Sequence, residues 1–296
     1  MIVRIKQVDA FTSLPFGGNP AGVVTDANNL SDEQMQKIAK EMNLSETAFV
    51  SRSGNADFKV RFFTPRFEVD LCGHATIGTF AALHEEGALD VKKNIFYQET
   101  KAGILPVETE AQNGRTLFMM TQVPPVFGQA DVEHIPAAAL LGVDKEHLSD
   151  MPVQIVSTGI PWLLIGVKSL EHLSGAKPDL PAIKDLSKRL GIGGIVSFCM
   201  EAYDEDCHYH SRTFAPYAGV DEDPVCGTGN ACVASYIGRY NLIESSTEKL
   251  ELVGEQGHEV GRPGRVYAEI IKGINGISGV RIGGHAVTVM EGEMRF

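Results

Sequence analysis

Long apolar runs are missing from this sequence: no stretch of its 296 residues reaches the roughly 18–20 that a membrane-spanning helix needs. Basic residues are scarce beside acidic ones, 26 against 38. The resulting net charge of −12 argues against a nucleic-acid surface or an anionic membrane as partner. Any anionic ligand must be held by local donors. Paired cysteines are also missing. The five cysteines (72, 199, 207, 226 and 232) are odd in number and form no C-x-x-C pair. Neither a disulfide framework nor a thiolate zinc site is suggested, and five free thiols are expected. There is no P-loop, and Gly191-Ile-Gly-Gly194 precedes a strand instead of opening a helix, so no nucleotide fingerprint applies. The first six residues read as a strand and not a signal peptide, so a soluble, cytoplasmic protein is expected.

What is present is length for a large core and, by the usual limit on core size, for two domains. Ser31-Asp-Glu-Gln34 fits a capping box, and Met35, Ile38, Ala39 and Met42 then share one face, predicting a helix over 32–43. Glu46 follows at a helix-to-strand joint. Further strands are expected at 58–63, 95–109, 115–123, 153–157, 162–167, 195–200 and 206–214, and helices at 74–86 and 179–190. Beyond these come strands near 249–253, 258–261, 265–272, 279–282 and 286–290. Pro124-Pro125 marks the main linker. Cys207-His208-Tyr209-His210 invites a metal reading, yet strand alternation places only the two histidines on one face, and no metal is expected.

Two glycine-rich turns stand out. Asp223-Pro-Val-Cys-Gly-Thr-Gly-Asn230 precedes the small apolar run 231–237, and Cys72-Gly73-His74-Ala75-Thr76 precedes the apolar run 77–83. Each looks like a helix start that binds an anion, where free N–H groups and the helix dipole favour negative charge. A cysteine there would have its pKa lowered. Arg61-x-Phe63-x-Pro65 leads into the first turn and Arg212-x-Phe214-x-Pro216 into the second. The arginine-to-cysteine interval is three residues longer in the second copy, an insertion assigned to Glu222-Asp223-Pro224. Asn19-Pro20 to Val24 and Ile160-Pro161 to Leu164 match upstream, so the chain reads as a duplicated domain. If the halves face each other, two helix N-termini converge on one cleft, which suits proton transfer at a carbon acid beside a carboxylate.

Gly18-Asn-Pro-Ala-Gly22, Ser45-Glu-Thr-Ala-Phe-Val50, Phe62-Phe-Thr-Pro65, Leu71-Cys-Gly-His-Ala-Thr76 and Glu222-Asp-Pro-Val225 resemble the PhzF-like phenazine-biosynthesis isomerases, in the right order and over nearly the whole chain. The resemblance implies an α+β fold like that of diaminopimelate epimerase. Its two pseudo-twofold domains would each wrap a mixed sheet around a central helix. The implied domains are 1–123, joined by a returning C-terminal strand near 287–296, and 124–286, in a homodimer. It also implies a cofactor-free isomerisation of a dihydro-hydroxyanthranilate-type carboxylic acid. Glu46 would shuttle the proton, with His74 and Asp223 positioning and polarising the substrate. Asn19, Gly73, Ala75, Gly227, Thr228 and Gly229 would contact that substrate.

One departure matters. Isomerases of this kind usually carry threonine-glycine-serine after the Asp-Pro segment, where this chain has Cys226-Gly227-Thr228. A Cys-Gly turn in each half resembles diaminopimelate epimerase and proline racemase, which use two thiols as base and acid. Cys72 and Cys226 stand in those places. An epimerase or racemase of an amino or hydroxy acid is thus the alternative, and a non-catalytic small-anion binding protein a second one.

Overall fold

The computed structural model describes residues 2–128, 135–245, 247–274 and 276–296. The chain forms two compact units, Met1–Thr121 with Gly283–Phe296, and Gln122–Ile282. Among the described residues, no helix is long and apolar enough to cross a membrane.

The first unit contains β1 (Ile2–Ala10), β2 (Asn19–Val24), α1 (Asp32–Met42), β3 (Thr47–Ser51), β4 (Phe58–Phe63), β5 (Glu68–Val69), α2 (Gly73–Glu85), β6 (Ile95–Thr100), β7 (Gly103–Gln112) and β8 (Arg115–Gln122). The C-terminal strand Ala286–Arg295 returns to pair antiparallel with β1. Helix α1 starts as its capping box predicts: Ser31 Oγ accepts from Gln34 N, and Gln34 Oε1 accepts from Ser31 N. It ends at Asn43, which adopts φ +50°. Helix α2 is apolar nearly all round, with every residue from Ala75 to Phe80 buried. It is the central helix of this unit, packed on β1, β2 and β3.

The second unit contains β9 (Val126–Phe127), α3 (Ala137–Leu141), β10 (Gln154–Ser157), β11 (Pro161–Gly166), α4 (Leu170–Ser174), α5 (Leu180–Leu190), β12 (Gly194–Cys199), β13 (Tyr209–Ala215), β14 (Val220–Asp223), α6 (Gly227–Tyr240), β15 (Lys249–Gln256), β16 (Gly264–Gly273) and β17 (Gly276–Gly284). Its central helix is α6, buried from Gly229 to Ile237 and packed on β10, β11, β12, β15 and β16.

The duplication read from the sequence reappears in the strand pairing. In the first unit β1–β2 is antiparallel, β2–β3 parallel, β3–β4 and β4–β5 antiparallel, β4–β6 parallel and β6–β7 antiparallel. In the second, β10 to β16 repeat that series in the same order. The arginines that mark the repeat have the same job twice. Arg61 forks onto Glu68 at 2.7 and 2.9 Å, and Arg212 onto Glu222 at 2.8 and 2.9 Å. Each guanidinium also lies 5.1 Å from the ring of the phenylalanine two residues on. The fork holds Glu68 below the ordinary carboxylate range.

This pairing moves the insertion. Glu68 and Glu222 correspond and both stand four residues before a cysteine, so Glu222-Asp223-Pro224 is the counterpart of Glu68-Val69-Asp70. The extra residues lie upstream in the β13–β14 hairpin, where the register shifts between Thr213 and Ala215. Three other expectations are corrected. The strand expected over 95–109 is a hairpin, turned at Lys101-Ala102 with Gly103 at φ +120°. The strand expected at 258–261 is a turn between Gly257 (φ +94°) and Gly261 (φ +70°). The strand expected from 206 begins at Tyr209.

All five cysteines are free thiols. Cys232 is fully buried, donates to Val156 O at 3.3 Å, and has its pKa pushed up to about 12 by desolvation. An unfolded thiol titrates near ~8.5, so above that pH the unfolded chain loses a proton that the folded chain keeps. Stability present below pH ~8.5 is therefore lost as pH rises toward the folded value, by up to about 1.4 kcal/mol per pH unit for one such group. Between about pH 9 and about pH 10.5 the urea midpoint is expected to fall more steeply in the wild type than in Cys232→Ala; equal slopes would contradict this.

Candidate active site

Glu46 is placed by two neighbours of its backbone. The left-handed Asn43 ends α1, and the carbonyl of Glu46 then accepts from Gly22 N at 3.1 Å as the chain enters β3 beside β2. A Cβ at Gly22 would stand 2.7 Å from Thr47 Oγ1, so only glycine lets β2 approach this closely. The Gly18-Asn-Pro-Ala-Gly22 motif thus has a packing reason at its last position.

His74 lies in the first turn of α2, two residues after its N-cap Cys72. Its Nε2 is 3.4 Å from Glu46 Oε2 and 3.3 Å from Ser45 Oγ, and its Nδ1 is 3.4 Å from Cys72 Sγ. The side chains of Glu46 and His74 are only 20% and 11% exposed, so their interaction is partly shielded from water. With its proton on Nε2 the imidazole donates toward Glu46 and can accept from the Cys72 thiol at Nδ1. Glu46, Cys72 and His74 therefore form one connected group. Their donor atoms lie close enough together to hold a metal ion.

The surroundings of that group are asymmetric. A Cβ at Gly73 would meet nothing within 4 Å, so the helix start has open space beside it. Ala75 is fully buried in a cluster with Ala21, Ala48, Val60, Phe62 and Cys72; its methyl belongs to the core. Asn19 is buried at the start of β2, opposite Ala10.

The second turn is built differently. Cys226 is the N-cap of α6, and its Sγ accepts from Gly229 N at 3.4 Å. Cys72, by contrast, makes no side-chain cap. A helix start by itself would lower the thiol pKa, and here the direction is reversed. Burial, followed by the nearby Asp223 carboxylate, pushes the Cys226 thiol well above its ordinary value, only partly offset by Gly229 N–H and the Thr228 hydroxyl. Gly229 is crowded, with its amide engaged by Cys226 and a Cβ meeting Val196 at 3.0 Å. Thr228 Oγ1 accepts from Trp162 Nε1 at 3.1 Å, and Gly227 is buried in the first turn. Asp223 ends β14, three residues ahead of Cys226.

Two residues not singled out from the sequence hold these turns. Ser45, inside the Ser45-Glu46-Thr47 motif, touches the His74 ring. Gln256, at the end of β15, accepts from Cys226 N, Asn230 Nδ2 and Ser211 Oγ and donates to the Asp223 carbonyl at 2.7 Å. Gln256 is 1% exposed and ties together residues far apart in sequence, so no local pattern announces it.

The sequence profile of the phenazine biosynthesis-like (PhzC-PhzF) family matches residues 8–292. The chain belongs to that family. It is similar to a phenazine biosynthesis protein of the PhzF family from Bacillus anthracis, at 37% identity and TM-score 0.92 over the whole of both chains. It is also similar to the trans-2,3-dihydro-3-hydroxyanthranilate isomerase of Pseudomonas aeruginosa, at 32% identity over 98% of each chain. A hydroxyproline epimerase from Agrobacterium vitis shares the fold, with 12% identity and TM-score 0.64 over 99% of this chain and 91% of that one. The expected α+β, epimerase-like fold is therefore found, and this PhzF-family protein is an isomerase.

Proposed function

We propose that this PhzF-family isomerase moves a proton between two carbons of a small unsaturated carboxylic acid of the dihydro-hydroxyanthranilate kind, with Glu46 as the shuttling base. The observation that carries the reading is the Glu46–His74 contact at 3.4 Å beside the open start of α2. One C–H bond breaks toward Glu46, the electron pair shifts the double bond, and Glu46 returns the proton to the new carbon. Electrons and atoms balance within the substrate, so the reaction calls for no redox partner or cofactor. His74 orients Glu46 and polarises the substrate, while the first-turn amides at Gly73 supply donors for a carboxylate. Asp223 is assigned to substrate polarisation in the same reading.

The two-thiol alternative needs one thiolate as its base. Each thiol must serve as that base in one direction of the reaction, and burial and the Asp223 carboxylate oppose a thiolate at Cys226, whose sulfur is also engaged as a helix cap, which favours the carboxylate reading. Incubation with a panel of small unsaturated carboxylic acids and single-enantiomer amino and hydroxy acids, followed by NMR and chiral chromatography, tests the proposal. A double-bond shift without added cofactor is the expected result. Stereochemical inversion of an amino or hydroxy acid, with no bond shift in any acid of the panel, would overturn it.

A further inference from the structure

The second unit carries a buried cluster that the isomerisation does not use. His210 on β13 is the register partner of Glu255 on β15, and its Nδ1 lies 3.0 Å from Glu255 Oε1. Its Nε2 lies 3.1 Å from Glu259 Oε1. The side chains of His210, Glu255 and Glu259 are 0%, 2% and 10% exposed. His258 joins them from the turn after β15, its ring 5.4 Å from that of His210 and lying against Tyr203 at 4.5 Å. Its Nδ1 is buried and has no hydrogen-bond partner among the described residues. One nitrogen of each histidine and one oxygen of Glu255 all lie within 4.8 Å of one another.

The duplication shows how unusual this is. At the same register position the first unit has Lys59 and Glu99, an ordinary ion pair at 3.6 Å with side chains 46% and 27% exposed. The hairpin that follows Thr100 turns within residues 101–102, whereas the one that follows Gln256 runs through 257–263 before pairing resumes at Gly264. Those additional residues bring in His258 and Glu259. The second unit thus replaces a surface lysine with a buried histidine and adds another histidine and another carboxylate around it.

Two imidazoles and a carboxylate suit a borderline divalent cation, zinc above all. The 3.0 Å between Nδ1 and Oε1 is close to the edge of a coordination tetrahedron, roughly 3.3 Å for ligand bonds of about 2.0 Å. Glu259 on Nε2 is the outer carboxylate that fixes a ligating histidine's tautomer and leaves Nδ1 for a metal. Glu255 is itself oriented by the amides of Tyr203 and Asp204. Two buried carboxylates facing this cluster are also better compensated by a dication than by one imidazolium. We propose that His210, Glu255 and His258 form a zinc-class metal site, with Glu259 as the orienting carboxylate. The metal clamps the 257–263 turn to the β13–β15 pair whose last residue, Gln256, organises the start of α6. His208 takes no part, because its Nδ1 accepts from Val253 N at 3.0 Å.

The test titrates chelator-treated protein with Zn2+ alone, and with Co2+ followed by absorption. One equivalent is expected to bind, to persist in Cys72→Ser, to weaken at least 100-fold in His258→Ala and to weaken about 10- to 100-fold in Glu259→Gln. The Co2+ spectrum should show ligand-field bands without a thiolate charge-transfer band, and Zn2+ should raise the Tm of wild type but not of His258→Ala. Absence of binding to wild type, equal affinity in a folded His258→Ala, or a thiolate band that disappears in Cys72→Ser would each overturn the proposal. Should His258→Ala not fold, the wild-type stoichiometry and Co2+ spectrum decide the matter.

Discussion

Glu46→Gln is expected to lower kcat by about 10²- to 10⁴-fold, the usual contribution of a positioned general base, with little change in KM. Glutamine keeps the shape of the side chain and can still accept from His74, but it cannot take a proton from carbon. Glu46 is about one-fifth exposed and its side chain pairs with His74, so the substitution should change stability by less than about 1 kcal/mol. The loss is therefore chemical and not structural, and matched urea melts of the two proteins verify this. Cys226→Ala is the informative contrast. It removes the cap on Gly229 and should cost some stability, yet leave kcat within about tenfold of wild type if the thiol is a neutral cap. Full activity in Glu46→Gln together with an inactive, folded Cys226→Ala would transfer the reaction to the thiols.

The largest stability effect is expected at Arg212. Its side chain is 7% exposed, forks onto Glu222, and donates to the carbonyls of Leu173 and Ala176 at 3.0 Å. Arg212→Met leaves a mostly buried carboxylate and two carbonyls without their donor, so a cost of about 3–5 kcal/mol is expected in urea unfolding. Arg212→Lys should recover little, because a lysine cannot reproduce the planar fork. Arg212→Met combined with Glu222→Met should recover much of the loss, since the stranded charge is then gone. Arg61→Met should cost less than Arg212→Met: Arg61 is 20% exposed, and Lys101 also pairs with Glu68. A cost below about 1 kcal/mol for Arg212→Met would contradict the importance given to the fork.

Much of this was legible in the sequence because it is carried by local signals. The capping box at Ser31 set the start of α1, the two small apolar runs after a Cys-Gly turn marked α2 and α6, and the Arg-x-Phe-x-Pro beat marked the repeat. What escaped depends on partners brought together by strand register. Nothing near Arg212 announces Glu222, so spacing alone points to an insertion at Glu222-Asp223-Pro224, whereas the fork makes Glu222 the counterpart of Glu68. Gln256 and the partners of His210, Glu255 and Glu259, carry no local signal for the same reason, since these contacts span dozens of residues along the chain. The direction of the Cys226 pKa failed differently. Helix position was legible, but burial and the Asp223 charge outweigh the dipole.

The central claim is that Glu46 moves one proton from one carbon to another. Position-resolved deuterium incorporation, by NMR on substrate turned over in D2O, tests it most directly. The account predicts a shifted double bond, with a new C–H at the carbon where the double bond formerly ended that carries the substrate's protium on direct return and deuterium only where the Glu46 proton has exchanged, and loss of the shift in Glu46→Gln. Deuterium confined to the original stereocentre, with racemisation and no bond shift, would contradict it.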